Sequence, residues 1–244
     1  MNASPYYSDD HVTLWHGDCR DVLADMADKS VAAVLTDPPY TERTHAGART
    51  NSTKAPAGGR SLSGVGVGFA SMTADTLAAA LSECGRVSRG WVVATLAYQH
   101  AFAYDANPPQ GLRCLRLGVW VKTNPMPQIS ADRPGQGWES IAYMHRADRK
   151  PSWNGGGKAG NYVLPVQQGE GHPTTKPLAM LSDWVRLFTQ PGDVVLDPFA
   201  GSGSTLVAAK QLGRRAIGVE LEEHYCEIAA RRLSQGVLDF GEGA

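Results

Sequence analysis

The sequence predicts an α/β fold: a doubly wound, mainly parallel sheet with helices on both faces, built as a single domain over residues 1–244. Three observations predict it. Short apolar runs alternate with stretches of helical periodicity along most of the chain. Two of those runs end in an aspartate, Asp37 before a double proline and Asp197 before a glycine-rich turn. No internal repeat and no linker-like stretch divides the 244 residues, which suffice to bury a substantial core.

In chain order, Val12-Thr13-Leu14-Trp15 reads as a short strand ending at Gly17-Asp18. A helix follows, with Asp18 as its cap, Asp21 in the first turn, and Val22, Leu23 and Met26 on one face. The uninterrupted apolar run Val31 to Thr36 predicts a strand buried on both faces. Pro38 and Pro39 have no N–H to donate, so the strand stops there in a stiff, extended corner. Residues 41–70 are rich in Gly, Ser, Thr and Ala with little periodicity, which predicts a long mobile loop. Thr76 to Val87 is expected to be helical, and Trp91 to Leu96, Leu115 to Val121 and Ser140 to Met144 to be strands. Asn124-Pro125-Met126-Pro127 and Trp153 to Gly157 mark irregular loops. Leu178, Leu181, Val185 and Phe188 recur at helical spacing until Pro191-Gly192. A strand at Val194 to Leu196 runs into Asp197, a helix continues through Gln211 to a stop at Gly213, and Ala216 to Val219 forms a strand closed by Glu220. Leu221, Tyr225, Ile228, Ala229 and Leu233 predict a final amphipathic helix.

Hydrophobic content of 42% and charged content of 19% are those of an ordinary globular chain. No apolar stretch approaches membrane-spanning length, and Met1 to Asp10 lacks the pattern of a secretion signal. Cys19, Cys84, Cys114 and Cys226 are scattered without a CxxC pair, so reduced thiols in a cytoplasmic protein are expected, with neither a disulfide framework nor a metal site. A net charge of -1 does not announce a nucleic-acid binder. The middle of the chain is locally basic, however: Arg113, Arg116, Lys122, Arg133, Arg146, Arg149, Lys150 and Lys158 outnumber Asp132, Glu139 and Asp148. That balance permits a phosphate-tracking surface, and solvated faces produce similar counts.

Two motifs carry the chemistry. Asp37-Pro38-Pro39-Tyr40 offers a carboxylate, bare carbonyl oxygens and an aromatic ring, without a nucleophile or metal ligands. Such a set suits gripping a planar group that bears an NH2; the plainer reading is a proline turn with a capping aspartate. In Asp197-Pro198-Phe199-Ala200-Gly201-Ser202-Gly203-Ser204-Thr205, glycines let the backbone approach a ligand and the following helix presents free N–H groups. Glu220, closing the next strand, is placed to accept ribose hydroxyls. There is no Gly-Lys-Ser/Thr, and Leu206 replaces the third glycine of GxGxxG, so a diphosphate is disfavoured. A nucleoside with a charged amino-acid tail fits better, with Asp197 pairing an ammonium group. A tight strand-to-helix turn without a ligand is the alternative.

Together the two motifs resemble the amino-methyltransferases of DNA, which move methyl from S-adenosylmethionine to an exocyclic nitrogen of adenine or cytosine. The family's DPPY motif matches Asp37 to Tyr40, and its DPFxGSGT-like cofactor motif matches Asp197 to Thr205, with Ser204 where Thr is common. Gly17-Asp18, Glu220, Trp120-Val121-Lys122 with Asn124 and Pro127, and His172-Pro173-Thr174-Thr175-Lys176-Pro177 extend the match. The DPPY motif precedes the cofactor motif, which resembles the β class, whose target-recognition region lies between the two.

The resemblance implies a Rossmann-like methyltransferase fold with permuted motif order and S-adenosylmethionine as cofactor. Asp37, Pro38, Pro39 and Tyr40 become the catalytic set. Asp18, Lys176, Asp197, Phe199, Gly201, Gly203, Ser204, Thr205 and Glu220 become the cofactor set. DNA is the implied partner, with a homodimer and a companion restriction nuclease as further expectations. Residues of about 125–170 become a small target-recognition region and residues 41–70 a substrate loop. A base inside a duplex cannot reach the corner, so the target is expected to flip and stack on Tyr40. Asp at the first motif position favours adenine N6, since cytosine-N4 members often carry Ser there. Cytosine N4, a non-catalytic binding module and, more remotely, an NAD-dependent oxidoreductase are the alternatives. Trp138, Tyr143 and Trp153 are candidates for stacking on nucleic acid or for core packing.

Overall fold

The computed structural model describes residues 4–39, 72–128, 132–169 and 172–235. Tyr40 and the loop expected over 41–70 lie outside the described residues. The strands are β1 (Tyr7–Ser8), β2 (Val12–His16), β3 (Val31–Thr36), β4 (Ser88–Leu96), β5 (Leu112–Lys122), β6 (Trp138–Arg146), β7 (Asn161–Leu164), β8 (Gln167–Gly169), β9 (His172–Thr175), β10 (Val194–Asp197) and β11 (Arg215–Glu220). The helices, numbered among the described residues, are α1 (Cys19–Asp25), α2 (Ala74–Val87), α3 (Tyr98–Ala106), α4 (Leu178–Phe188), α5 (Ser204–Gln211) and α6 (Glu223–Ser234).

Nine strands join in the order β1-β2-β11-β10-β3-β4-β6-β5-β7, and β8 and β9 pair separately. From β2 to β4 every neighbour is parallel, while β6 runs antiparallel to both β4 and β5. β3 lies between β10 and β4, which explains its unbroken apolar sequence: both faces are covered. Ala33 and Leu35 join one hydrophobic cluster with α4, α5 and α6, and Val34 joins another with α1, α2 and α3. Each fully buried Leu or Val in these layers contributes about 1.5–3 kcal/mol relative to an exposed one. The fold is therefore doubly wound, as expected.

From β3 the chain crosses to β4 on one side, and from β10 it crosses to β11 on the other. The sheet thus reverses between β3 and β10. In open α/β sheets the crevice beyond the carboxyl ends at such a point is where ligands gather. Both motif aspartates end up there.

Several elements differ from expectation. α3 was not anticipated, because it buries only Ala101 and Tyr104 and so shows little periodicity. β7 to β9 fall in a stretch that carries weak strand signals, being short and at an edge or in a separate pair. Leu221, expected on the final helix, precedes it and is 48% exposed; α6 begins at Glu223 after Glu222 at the cap position. No helix among the described residues is long and apolar enough to cross a membrane.

Candidate active site

Asp37 follows the last residue of β3, and its side chain remains one-third exposed. The Thr95 hydroxyl on β4 donates to Asp37 Oδ1, and Lys176 Nζ lies 2.5 Å from Oδ2. Pro38 is buried and Pro39 half-buried, so the corner is anchored as the double proline predicts. Lys176 comes from the segment between β9 and α4, and only 7% of its side chain is exposed. Its ammonium also lies 3.3 Å from Glu139 Oε2 on β6, and Glu139 Oε1 lies 2.6 Å from Lys122 Nζ at the end of β5. Four charges of alternating sign therefore line the carboxyl edge of the sheet. A cation this buried is tolerated only because carboxylates compensate it.

Asp197 sits at the end of β10, beside β3, and is 2% exposed. Its Oδ1 accepts from the Thr36 hydroxyl at 2.6 Å and the Phe199 N–H at 3.1 Å. Burial pushes its carboxyl up to about 6, against the opposing pull of hydrogen bonds from Thr36, Thr205 and Phe199. Thr36 thus stitches the end of β3 to the end of β10.

The glycine turn is built from left-handed residues, Gly201 at φ 51° and Gly203 at φ 78°. A Cβ at Gly201 would meet nothing within 4 Å, so this backbone is open to a close ligand, whereas one at Gly203 would lie 2.9 Å from Ala229 Cβ on α6. Glu220 fastens the turn to β11: its Oε2 accepts from Gly201 N and its Oε1 from Glu222 N, each at 2.8 Å. Burial raises the Glu220 carboxyl pKa above the usual range. Each oxygen keeps a lone pair for a further donor such as a ribose hydroxyl. Arg232 on α6 donates from Nη1 to the Ser202 carbonyl at 2.6 Å and lies 3.0 Å from the Ser202 and Ser204 hydroxyls. Ser204 and Thr205 are buried at the start of α5. An open glycine backbone flanked by two buried carboxylates fits a nucleoside with a cationic tail, the chemistry of S-adenosylmethionine.

The structure brings Asp37, Pro38, Pro39, Lys176, Asp197, Phe199, Gly201, Gly203, Ser204, Thr205 and Glu220 to this edge of the sheet. Lys176 contacts the Asp37 carboxylate directly. Asp18 behaves differently. Gly17 N bonds to Glu220 O at 2.9 Å, so the segment borders the site, but the Asp18 carboxylate accepts from Arg20 N at 2.9 Å and pairs with the Arg20 guanidinium at 2.5 Å. Its geometry is that of a helix cap, and Arg20 holds its carboxyl below the usual range. Thr36, Thr95, Glu139 and Arg232 were not anticipated. Lys122 was singled out in the sequence without its partner.

The sequence profile of the N6/N4 DNA methylases matches residues 31–231 of the chain. This span runs from the start of β3 into α6 and contains both motifs. The chain belongs to the N6/N4 DNA methylase family. Among curated proteins, the methylase is 30% identical to the Type II methyltransferase M2.DpnII of Streptococcus pneumoniae, covering 96% of this chain and 93% of that one. It is 28% identical to M2.LlaDCHI of Lactococcus lactis subsp. cremoris, over 97% and 94%. Among solved structures, a Thermus thermophilus modification methylase described as putative, in complex with S-adenosyl-L-methionine, matches at 25% identity, with a TM-score of 0.60 and coverage of 94% and 97%. PvuII DNA methyltransferase, described as cytosine-N4-specific, matches at a TM-score of 0.74 and 14% identity over 97% and 91%, a likeness of fold.

Within the methylase, two of the three aromatic candidates take part in core packing, Tyr143 as a buried member of the cluster and Trp153 half-buried against it. Tyr143 is buried and its hydroxyl donates to Gly160 O at 2.9 Å, while Trp153 stacks on Phe188 with centroids 6.1 Å apart. Trp138 instead starts β6 at the site edge, half-buried, 6.1 Å from the Tyr98 ring.

Proposed function

We propose that this methylase transfers methyl from S-adenosylmethionine to the N6 amino group of an adenine flipped out of DNA. The observation that carries the reading is the Asp37 carboxylate, one-third exposed and fixed by Thr95 and Lys176, one strand away from the glycine turn. S-adenosylmethionine, when bound, supplies the methyl group on a sulfonium. The glycine turn, Asp197 and Glu220 would hold it, Asp197 at the ammonium and Glu220 at the ribose.

An exocyclic amino group conjugated to a ring is a poor nucleophile. Hydrogen bonds from its two N–H groups to the Asp37 carboxylate and the Pro38 carbonyl favour a pyramidal nitrogen and aim its lone pair. Each Asp37 oxygen keeps a lone pair beside its present partner, so the amino group joins Thr95 and Lys176 without displacing them. This is positioning and electrostatics, with no covalent enzyme intermediate. After transfer the nitrogen is strongly acidic, and its proton leaves through Asp37 or water. Tyr40 stacks on the base and Pro39 keeps the corner stiff.

Adenine is favoured by Asp37 at the first motif position. Residues of about 125–170 serve as target-recognition region, and residues 41–70, which lie outside the described residues, serve in substrate contact. The Type II designation of two relatives supports a companion restriction nuclease, and the resemblance to the β class is what supports a homodimer. Asp37→Ala, assayed with tritiated methyl donor, is expected to abolish transfer to DNA while cofactor binding persists; continued methylation by that variant refutes the site.

A further inference from the structure

Glu139 touches none of the reacting groups assigned above, yet its place in the ion-pair chain is specific. It lies on β6, directly across from Trp120 on β5, and Lys122 two residues further along that strand holds its Oε1 at 2.6 Å. Its other oxygen faces Lys176, whose ammonium lies between two carboxylates, 2.5 Å from Asp37 and 3.3 Å from Glu139. An ammonium has three donors and no preferred plane, so its position is set by the charges around it. Thr95 fixes one oxygen of Asp37, and the other is in direct contact with the Lys176 ammonium, for which Glu139 is a second, more distant carboxylate.

We infer that Glu139 is a positioning residue for methyl transfer: as the second carboxylate on Lys176, it offsets part of that ammonium's charge, so that Asp37, although paired with Lys176, keeps its acceptor strength for the target amino group. The charge count supports this. Asp37, Lys176, Glu139 and Lys122 sum to zero at the sheet edge. Neutralising Glu139 leaves a net positive charge beside the carboxylate that must accept two weak, neutral N–H donors. Lys176 then draws more of the Asp37 charge and weakens that carboxylate as acceptor for the target amino group, and the same excess charge opposes approach of a cationic methyl donor. Lys122 is the tether that gives Glu139 a fixed origin.

The inference rests on Asp37 holding the amino group, and the two are separable. Asp37→Ala tests that reading by loss of all transfer, whereas Glu139 is read from a ratio of rates on whichever base is methylated. The experiment is steady-state methyl transfer by Glu139→Gln, Glu139→Asp, Lys176→Met and the double variant Glu139→Gln/Lys176→Met, with donor affinity and melting temperature measured on each. Glu139→Gln keeps the shape and removes the charge; its kcat is expected to fall by about 10²-fold. Its KM for DNA should stay within about twofold and its melting temperature near wild type. Glu139→Asp, retaining the charge, should recover part of the rate. Because Glu139 acts through Lys176, the double variant should be no slower than Lys176→Met alone. An unchanged kcat in Glu139→Gln, no recovery by Glu139→Asp, or multiplying effects in the double variant would each overturn the inference.

Discussion

Asp197 gives the cofactor assignment a sharp pH signature. Its carboxyl titrates at about 6 because it is buried, and hydrogen bonds from Thr36, Thr205 and Phe199 only partly offset that burial. If this carboxylate meets the ammonium of S-adenosylmethionine, binding requires its ionised form. At pH 7.5 nearly all of it is ionised; at pH 5 about one part in eleven is, for a group with a pKa of about 6. Donor Kd should therefore rise about tenfold between those values, equivalent to about 1.4 kcal/mol. Asp197→Asn should bind weakly at both, with a much flatter profile. The same shift fixes a stability trend. A carboxyl raised in the folded state contributes stability present below its unfolded pKa of 3.8, and that contribution is lost as pH rises through about 6. The effect of Asn at 197 on the free protein's stability should thus become more favourable between pH 4 and pH 8, by about 2–3 kcal/mol. Isothermal titration calorimetry across that range, with folding checked by circular dichroism, measures the binding half. An identical slope in wild type and Asp197→Asn refutes the assignment of Asp197 to the ammonium.

Two further substitutions probe how the turn is held. Arg232→Met removes the charged donor that ties Ser202 and Ser204 to α6; hydrogen bonds of this kind are worth about 1.5–3 kcal/mol, so donor Kd should rise roughly tenfold, measured by equilibrium dialysis, with the fold intact. Gly218→Ala would put a Cβ 2.5 Å from Leu206 Cδ1 and 3.2 Å from Ala200 Cβ, both buried; a loss of about 1–3 kcal/mol is expected in urea unfolding, and a neutral result would contradict the packing described for this strand.

What could be read from the sequence follows how local each signal is. β3 was expected with the bounds it has, because a strand covered on both faces must be apolar throughout. The stripe of α4 was equally plain, since Leu181, Val185 and Phe188 all reach the core. α3 was missed for the opposite reason: Tyr98 and Phe102 are exposed and leave no apolar stripe. Leu221 misled because an apolar residue at helical spacing need not lie on the helix. The two aspartates and Glu220 were legible as strand-terminal residues beside turn signals. Thr95, Glu139 and Lys176 meet Asp37 or one another only through the order β3-β4-β6 and a return from the far end of the chain. No spacing encodes that order. The Arg232 contact likewise depends on how α6 docks, which periodicity does not specify.

The identity of the methylated atom decides between adenine and cytosine as target. Duplex DNA is incubated with the purified methylase and labelled S-adenosylmethionine, digested to nucleosides, and resolved by mass spectrometry beside an Asp37→Ala control. N6-methyldeoxyadenosine is expected as the labelled product, and none with the variant. Label in N4-methyldeoxycytidine would contradict the adenine assignment, and label with Asp37→Ala would contradict the site itself.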